Sequence, residues 1–171
     1  MTLPLYARKR RIDSPLGPMW LAATDAGLAG AWFHDQRDPP PAAALARWPD
    51  APADPVLRDA AAWFEAFYRD PRTTWDGPLD LSHGTAFQTA VWVALCDIGS
   101  GQTTSYGDIA RRIDRPRAVR AVGAAVGANP LSVVVPCHRV VGASGALTGY
   151  SGGLERKIAL LEMESGAHRL L

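Results

Sequence analysis

Val133-Val134-Val135-Pro136-Cys137-His138-Arg139-Val140 is the stretch around which the rest of the chain reads. Three β-branched residues in a row predict a strand, and Pro136, which has no N–H to give a ladder, predicts that regular pairing stops there. Cys137 is therefore expected at a strand end. A polarisable sulfur next to an imidazole is a nucleophile beside its proton acceptor, because the thiolate and not the thiol attacks. If the segment stays extended, adjacent side chains point to opposite faces, so His138 cannot face the Cys137 sulfur directly. Either Pro136 bends the chain or a bridging water carries the proton. The same pair can also be read as an inert buried thiol beside a satisfied core histidine.

The 171-residue chain is 47% hydrophobic, enough for a core in one domain or two small ones, and disorder is not its expected state. No apolar run is long enough to span a bilayer, and the first thirty residues are broken by charge and proline rather than patterned as a signal peptide. A cytoplasmic location with no membrane partner is expected. Cys96 and Cys137 are the two cysteines, and with His34, His83, His138 and His168 they form no metal-ligand spacing. No disulfide framework, metal or cofactor is expected.

Charge is uneven. Residues 1–84 carry 9 basic and 11 acidic side chains, a net of −2, and residues 85–171 carry 9 and 6, a net of +3. Between Arg111 and Arg120 lie five arginines (Arg111, Arg112, Arg115, Arg117, Arg120) against one acid, Asp114. That is what a phosphate-binding face needs, although a charge run also serves as a merely solvated surface.

Working outward, the basic opening to Arg11 is an arm or the entry to a first strand. Met19–Thr24 and Leu28–Phe33 flank Asp25-Ala26-Gly27 and predict a β-hairpin. Ala42–Trp48 is a short helix between proline-rich loops. Val56–Tyr68 is a helix with Asp54 as N-cap, Pro55 in its first turn and a core stripe of Val56, Ala60, Trp63, Phe64 and Phe67. Asp70–Gly84, rich in Pro, Gly and charge, is the expected boundary, and the residues before it carry no convincing chemistry.

From Thr85 onward helices follow one another. Thr85–Ile98 ends at Gly99-Ser100-Gly101. Ser105 caps Tyr106–Ile113, Asp114-Arg115-Pro116 breaks it, and a third helix runs from about Arg117 to Ala128 with Val119, Val122 and Val126 as its buried stripe. Two short helices around a tight turn match a helix-turn-helix. The second is almost free of long side chains, with only Arg117 and Arg120 able to reach base edges. Either its backbone approaches DNA closely in a sequence-tolerant way, or it is a tightly packed helix that needs Ala and Gly. After Asn129-Pro130 and the reactive stretch comes a glycine-dense loop to Gly153, fit for close approach to a planar ligand or for a plain connection. The last helix, Leu154 to about Glu164, has Leu154, Ile158 and Leu161 on its apolar side and can deliver Glu162 or Glu164 to the Cys-His pair.

Pro136-Cys137-His138-Arg139-Val140 is identical to the active-site signature of the O6-alkylguanine-DNA alkyltransferase family of direct-reversal repair proteins. The order around it resembles that family too: Tyr106 opening the first helix of the pair, Arg120-Ala121-Val122-Gly123 in the second, then Asn129-Pro130, and Tyr150-Ser151-Gly152-Gly153 before the last helix. The resemblance implies an α/β (α+β) protein in two parts, with a small ribonuclease-H-like α/β domain over residues 1–84. A mainly helical DNA-binding and alkyl-acceptor domain would occupy residues 85–171. It implies a monomer that binds double-stranded DNA carrying alkylated bases and moves the alkyl group of O6-alkylguanine to Cys137, with O4-alkylthymine open as a second substrate. By the same resemblance His138 relays a proton through water, Glu164 orients and charges His138, Tyr106 donates to guanine N3, and Asn129 braces the turn. Arg120 takes the place of the extruded nucleotide, with Arg117, Ala121, Gly123 and Tyr106 on the DNA-binding face. Val140, Tyr150 and Ser151 line the pocket.

The product would be a thioether that thiol exchange does not reverse, so each chain acts once. This chain departs from the family at Ala159, where an aromatic is usual, and at Met163-Glu164-Ser165, where His-Glu-Gly is usual, which leaves Glu162 as a rival to Glu164. Thr148-Gly149 resembles the bacterial branch and implies a narrower pocket. The competing class is an alkyltransferase-like damage sensor or DNA-binding regulator without chemistry, which lacks the nucleophile present here. A cysteine hydrolase would leave the arginine patch and Tyr106 without a purpose.

Overall fold

The computed structural model describes residues 3–166, so His168 lies outside the described residues. The chain divides into two compact units, one running to His83 and including Pro130–Val134, the other taking Gly84–Asn129 and the residues from Val135 on.

In the first unit β1 (Arg8–Ile12), β2 (Met19–Thr24) and β3 (Gly27–Phe33) form an antiparallel sheet in that order. The expected hairpin closes over Asp25-Ala26, with Thr24 opposite Gly27 and Trp20 opposite Trp32. Gly27 has φ +147°, and a Cβ there would stand 2.6 Å from the Pro78 carbonyl oxygen, so only glycine fits. The outer edge of β3 is covered by two short segments. Leu28 donates to Pro78 O at 2.9 Å and accepts from Asp80 N at 2.8 Å, while Ala31 donates to Pro130 O at 2.8 Å and accepts from Ser132 N at 2.9 Å. A row of otherwise unpaired backbone groups is thereby closed.

Two helices follow, α1 (Ala42–Arg47) and α2 (Pro55–Arg69). The Asp54 carboxylate caps α2 by accepting from Leu57 N at 3.1 Å and also takes the Arg8 guanidinium at 2.6 Å. Its buried face is Leu57, Ala60, Ala61, Trp63, Phe64 and Phe67, so the aromatic stripe is core, with Leu57 in place of Val56. The indoles of Trp32 and Trp48 stack with centroids 6.2 Å apart among Ala7, Ala22 and Ala44. Each such ring removes on the order of 200 Å² from water, worth about 5 kcal/mol by area.

The second unit holds α3 (Ala86–Cys96), β4 (Thr104–Ser105), α4 (Tyr106–Arg112), α5 (Val119–Gly127), a 3-10 helix (Cys137–Arg139), β5 (Val140–Val141) and α6 (Leu154–Ser165). Thr85 with Gln88, and Ser105 with Asp108, form capping boxes that fix where α3 and α4 begin. Asp114 at φ +56° and the return of Arg115 N to Ala110 O at 2.8 Å end α4 before Pro116, giving the expected helix-turn-helix. Trp92 Nε1 donates to Ala125 O at 2.8 Å and joins α3 to α5. β4 and β5 pair in parallel, Ser105 beside Val141, which sets the start of α4 next to the reactive segment.

The valine run is not a strand. Val133 takes φ +73° directly after Ser132 has given its N–H to Ala31, and Val135 O is captured by the Asn129 side chain, so no ladder forms through it. Tertiary partners override β propensity here. Val119 is 41% exposed rather than part of the buried stripe, because α5 begins at that residue and buries Val122, Ala125 and Val126 instead. α6 buries Lys157, Leu160 and Met163, not the predicted Leu154, Ile158 and Leu161, since the Lys157 ammonium finds carbonyl partners inside. Among the described residues no helix is long and apolar enough to cross a membrane.

Asp54→Ala removes a cap and an ion-pair partner together. It is expected to lower stability by about 1–2 kcal/mol, read as a reduced urea midpoint with an unchanged slope; an unmoved midpoint would show that α2 is held at its start by something else.

Candidate active site

Pro136, at φ −80° and ψ 62°, is the central residue of an inverse γ-turn in which Cys137 N donates to Val135 O at 2.7 Å. The chain then winds into the 3-10 helix, Arg139 N returning to Pro136 O at 3.0 Å. Proline thus bends the segment, and the extended geometry that would send Cys137 and His138 to opposite faces does not arise. Asn129 Nδ2 donates to Val135 O at 2.8 Å and to Cys137 Sγ at 3.0 Å, holding turn and sulfur from one amide.

His138 Nε2 lies 2.8 Å from Glu164 Oε1, with both side chains fully buried. Of the two candidate glutamates, Glu164 is the one hydrogen-bonded to the histidine. Arg139 forks onto the same carboxylate, Nε 2.9 Å from Oε2 and Nη2 2.7 Å from Oε1, and its Nη1 donates to Ile98 O. Burial pushes the Glu164 carboxyl up, yet the hydrogen bonds from His138 and Arg139 outweigh it and hold it at about 2. An ionised carboxylate can only accept, so His138 Nε2 carries the proton and Nδ1 is left with the lone pair. Burial also holds His138 below its ordinary value against the pull of Glu164, which keeps the ring neutral near neutral pH. Nδ1 is buried with no hydrogen-bond partner among the described residues, a base poised for a proton.

Cys137 is 5% exposed. Burial pushes its thiol up to about 11, against the Asn129 hydrogen bond and the positive charge of Lys157. At rest the sulfur is protonated. Lys157 is fully buried, its ammonium donating to Val140 O at 2.6 Å and Thr148 O at 3.0 Å, so one cation ties the start of β5 to the middle of the glycine-dense loop.

Around this centre, the Tyr106 hydroxyl lies 3.0 Å from Thr148 Oγ1, and Ser151 Oγ donates to Gly127 O at 2.8 Å, stitching the loop to α4 and α5. The Tyr150 ring meets His138 edge-on with centroids 6.5 Å apart, and Val140 is fully buried at the start of β5. On α5 and the turn before it, Arg117, Arg120 and Ala121 are exposed and Gly123 is half-buried. A Cβ at Gly123 would stand 3.8 Å from the Tyr106 ring, an ordinary contact, and one at Gly127 would meet nothing within 4 Å. Internal packing does not require glycine at either position. The two readings of this helix therefore part: its small outward residues leave bare backbone beside arginines, which packing alone does not explain.

Lys157 and Arg139 have no role assigned from the sequence, and Thr148 is read there only as part of a pair that narrows the pocket. A lone lysine in the row 157, 160, 163 of an otherwise apolar helix face was the signal for the first. For Arg139 it was a guanidinium inside the reactive motif itself. For the hydrogen bonds of Thr148 there is no local signal, because its partners depend on how the loop folds back.

Two family descriptions match the chain: "6-O-methylguanine DNA methyltransferase, ribonuclease-like domain" over residues 7–81, and "6-O-methylguanine DNA methyltransferase, DNA binding domain" over residues 86–166. The chain is 46% identical over 155 residues to a methylated-DNA–protein-cysteine methyltransferase of Mycobacterium tuberculosis, covering 91% of this chain and 90% of that one. A protein of the same description from Methanosarcina mazei is 42% identical, with 90% and 94% covered. The crystal structure of Mycobacterium tuberculosis OGT in complex with DNA superposes with a TM-score of 0.83 at 42% identity, over 97% of this chain and 96% of that chain.

Glu164 is held below its ordinary value, so its contribution to stability is complete above the usual carboxylate range and is lost as pH falls through about 2. Glu164→Gln leaves Arg139 without its counter-charge and is expected to cost about 3–5 kcal/mol at neutral pH. That deficit should narrow on acidification, as the wild-type carboxylate takes up its proton. Urea denaturation across an acid pH series checks this, and a deficit independent of pH would rule out the carboxylate charge as its source.

Proposed function

The chain belongs to the 6-O-methylguanine DNA methyltransferase family, and on that premise we propose that it repairs duplex DNA by direct reversal, moving the alkyl group of O6-alkylguanine onto its own Cys137. The reaction is that of a methylated-DNA–protein-cysteine methyltransferase acting once per chain. The observation that carries the assignment of groups is the Asn129-braced turn, which holds the Cys137 sulfur beside a buried His138–Glu164 pair in the same unit as the helix-turn-helix.

In the proposed step Cys137 Sγ attacks the alkyl carbon, the S–C bond forms as the C–O6 bond breaks, and the electron pair of that bond departs with the guanine. The thiol proton passes through a water to His138 Nδ1, the ring nitrogen with the free lone pair, and the Glu164 charge stabilises the imidazolium. His138 then returns that proton through water to the departing guanine anion, so a thioether, a neutral guanine and a neutral imidazole remain and charge balances. Tyr106 donates to guanine N3 and thereby stabilises the anion as it forms. Val140, Tyr150 and Ser151 receive the flipped base, and backbone groups of Cys137, Val140 and Ser151 read it. Extrusion costs a few kcal/mol, less for a damaged and weakly paired base. Arg120 fills the gap in the stack, while Arg117, Ala121 and Gly123 let α5 lie close to the duplex backbone. A sensor without chemistry would have no use for a nucleophile with its own base. We place the reaction in the cytoplasm, where reducing conditions keep Cys96 and Cys137 as the free thiols they are here. The proposed step takes one chain as the acting unit, as the family resemblance implies.

Incubation with a duplex containing O6-methylguanine should add one methyl to the intact mass, localised to Cys137 by peptide mapping; an unchanged mass in a folded, DNA-binding sample would sink the proposal. Cys137→Ser should retain DNA binding and transfer nothing. Arg120→Ala should slow transfer from duplex DNA at least tenfold more than transfer from the free base, on the order of the extrusion cost. Equal slowing of both would count against a role in the stack.

A further inference from the structure

Thr148 ties three parts of the second unit together. Its Oγ1 lies 3.0 Å from the Tyr106 hydroxyl, its carbonyl accepts from Lys157 Nζ at 3.0 Å, and its N–H donates to Ala146 O at 3.0 Å. The ammonium beneath it is fully buried and donates at the same time to Val140 O at 2.6 Å. The backbone of an exposed loop residue is thus fixed from inside the unit. Tyr106 is equally constrained, as the first residue of α4 behind the Ser105 capping box, with its ring against Gly123 of α5. Two separately anchored backbones hold two hydroxyls in hydrogen-bond contact.

Such a contact has a direction. If the phenol donates to Thr148, its hydrogen is used up inside the protein. If Thr148 donates to the phenol oxygen, the phenol hydrogen points outward and the polarised O–H is a stronger donor. Guanine N3 carries no hydrogen and can only accept, so its arrival selects the second arrangement, which needs no more than rotation of both hydroxyls.

We propose that Thr148 is a positioning residue for alkyl transfer, donating to the Tyr106 oxygen and so aiming and strengthening the donor that stabilises the departing guanine. Thr148 acts through Tyr106 and not on the base. The inference rests on the reading of Tyr106 as the group that donates to guanine.

The test uses the full chain and a duplex carrying one O6-methylguanine, under single-turnover conditions that separate the transfer rate constant from duplex affinity. Thr148→Val keeps the branch and the volume without the hydroxyl, and Thr148→Ser keeps the hydroxyl. Thr148→Val should slow transfer roughly three- to tenfold, the loss of one hydrogen bond of ordinary strength, with the duplex Kd unchanged. Thr148→Ser should transfer at close to the wild-type rate. In a Tyr106→Phe background Thr148→Val should have no further effect. A wild-type rate for Thr148→Val, a failure of Ser to rescue, or an equal slowing by Val in the Tyr106→Phe background each overturns the proposal. A Tyr106→Phe variant as fast as wild type overturns the reading of Tyr106 itself and removes the basis for Thr148 with it.

Discussion

Much of the second unit is arranged around one buried carboxylate. Removing a charge of that size from water costs several kcal/mol, and it is tolerated only where geometry and additional hydrogen bonds compensate. At Glu164 the compensation comes from the Arg139 fork and the His138 imidazole, both drawn from the 3-10 helix that also carries Cys137. The same arginine reaches Ile98 O just beyond α3, and Gly101 N lies 3.5 Å from Glu164 Oε2. The carboxylate therefore fixes the end of one helix, the register of another and the tautomer of the histidine together. Its charge makes Nδ1 rather than Nε2 the basic nitrogen.

The sulfur is treated differently. Asn129 and Lys157 favour the thiolate, but burial wins and the resting thiol stays protonated. For a nucleophile that is consumed when it reacts, this has a clear use. A standing thiolate would meet any passing electrophile, whereas a buried, protonated thiol is a poor nucleophile until a base takes its proton. Desolvation and base placement together restrict the one reaction each chain can perform.

Local signals in the sequence identified most of the elements. The hairpin around Asp25-Ala26-Gly27, the Asp54 cap with its aromatic stripe, and the capped helices of the helix-turn-helix rest on neighbours within a few residues, and propensity and periodicity report such neighbours well. The reactive motif was legible as chemistry but not as structure. Three valines predict a strand, but the contacts that keep them out of a ladder are not local: the neighbouring Ser132 gives its N–H to Ala31, far along the chain, and the Asn129 side chain takes Val135 O. The face of α6 was misjudged for a related reason. A lysine reads as solvated until two carbonyls are found for its ammonium, and of those one opens β5 and the other belongs to a loop whose fold no local pattern specifies.

Pro130–Ser132 closes the edge of β3, although residues on both sides of Pro130–Val134 belong to the other unit. Chain order and structural modularity consequently disagree. A single proteolytic cut near residue 84 would not yield two self-sufficient pieces, because the C-terminal fragment would carry away the segment that finishes the N-terminal sheet. Leu131, Ser132 and Val133, all buried in the intact chain, would be left on that fragment without the strand they cover. The units are therefore interleaved parts of one covalent design, and swapping or excising either at a linear boundary would break the sheet of the first.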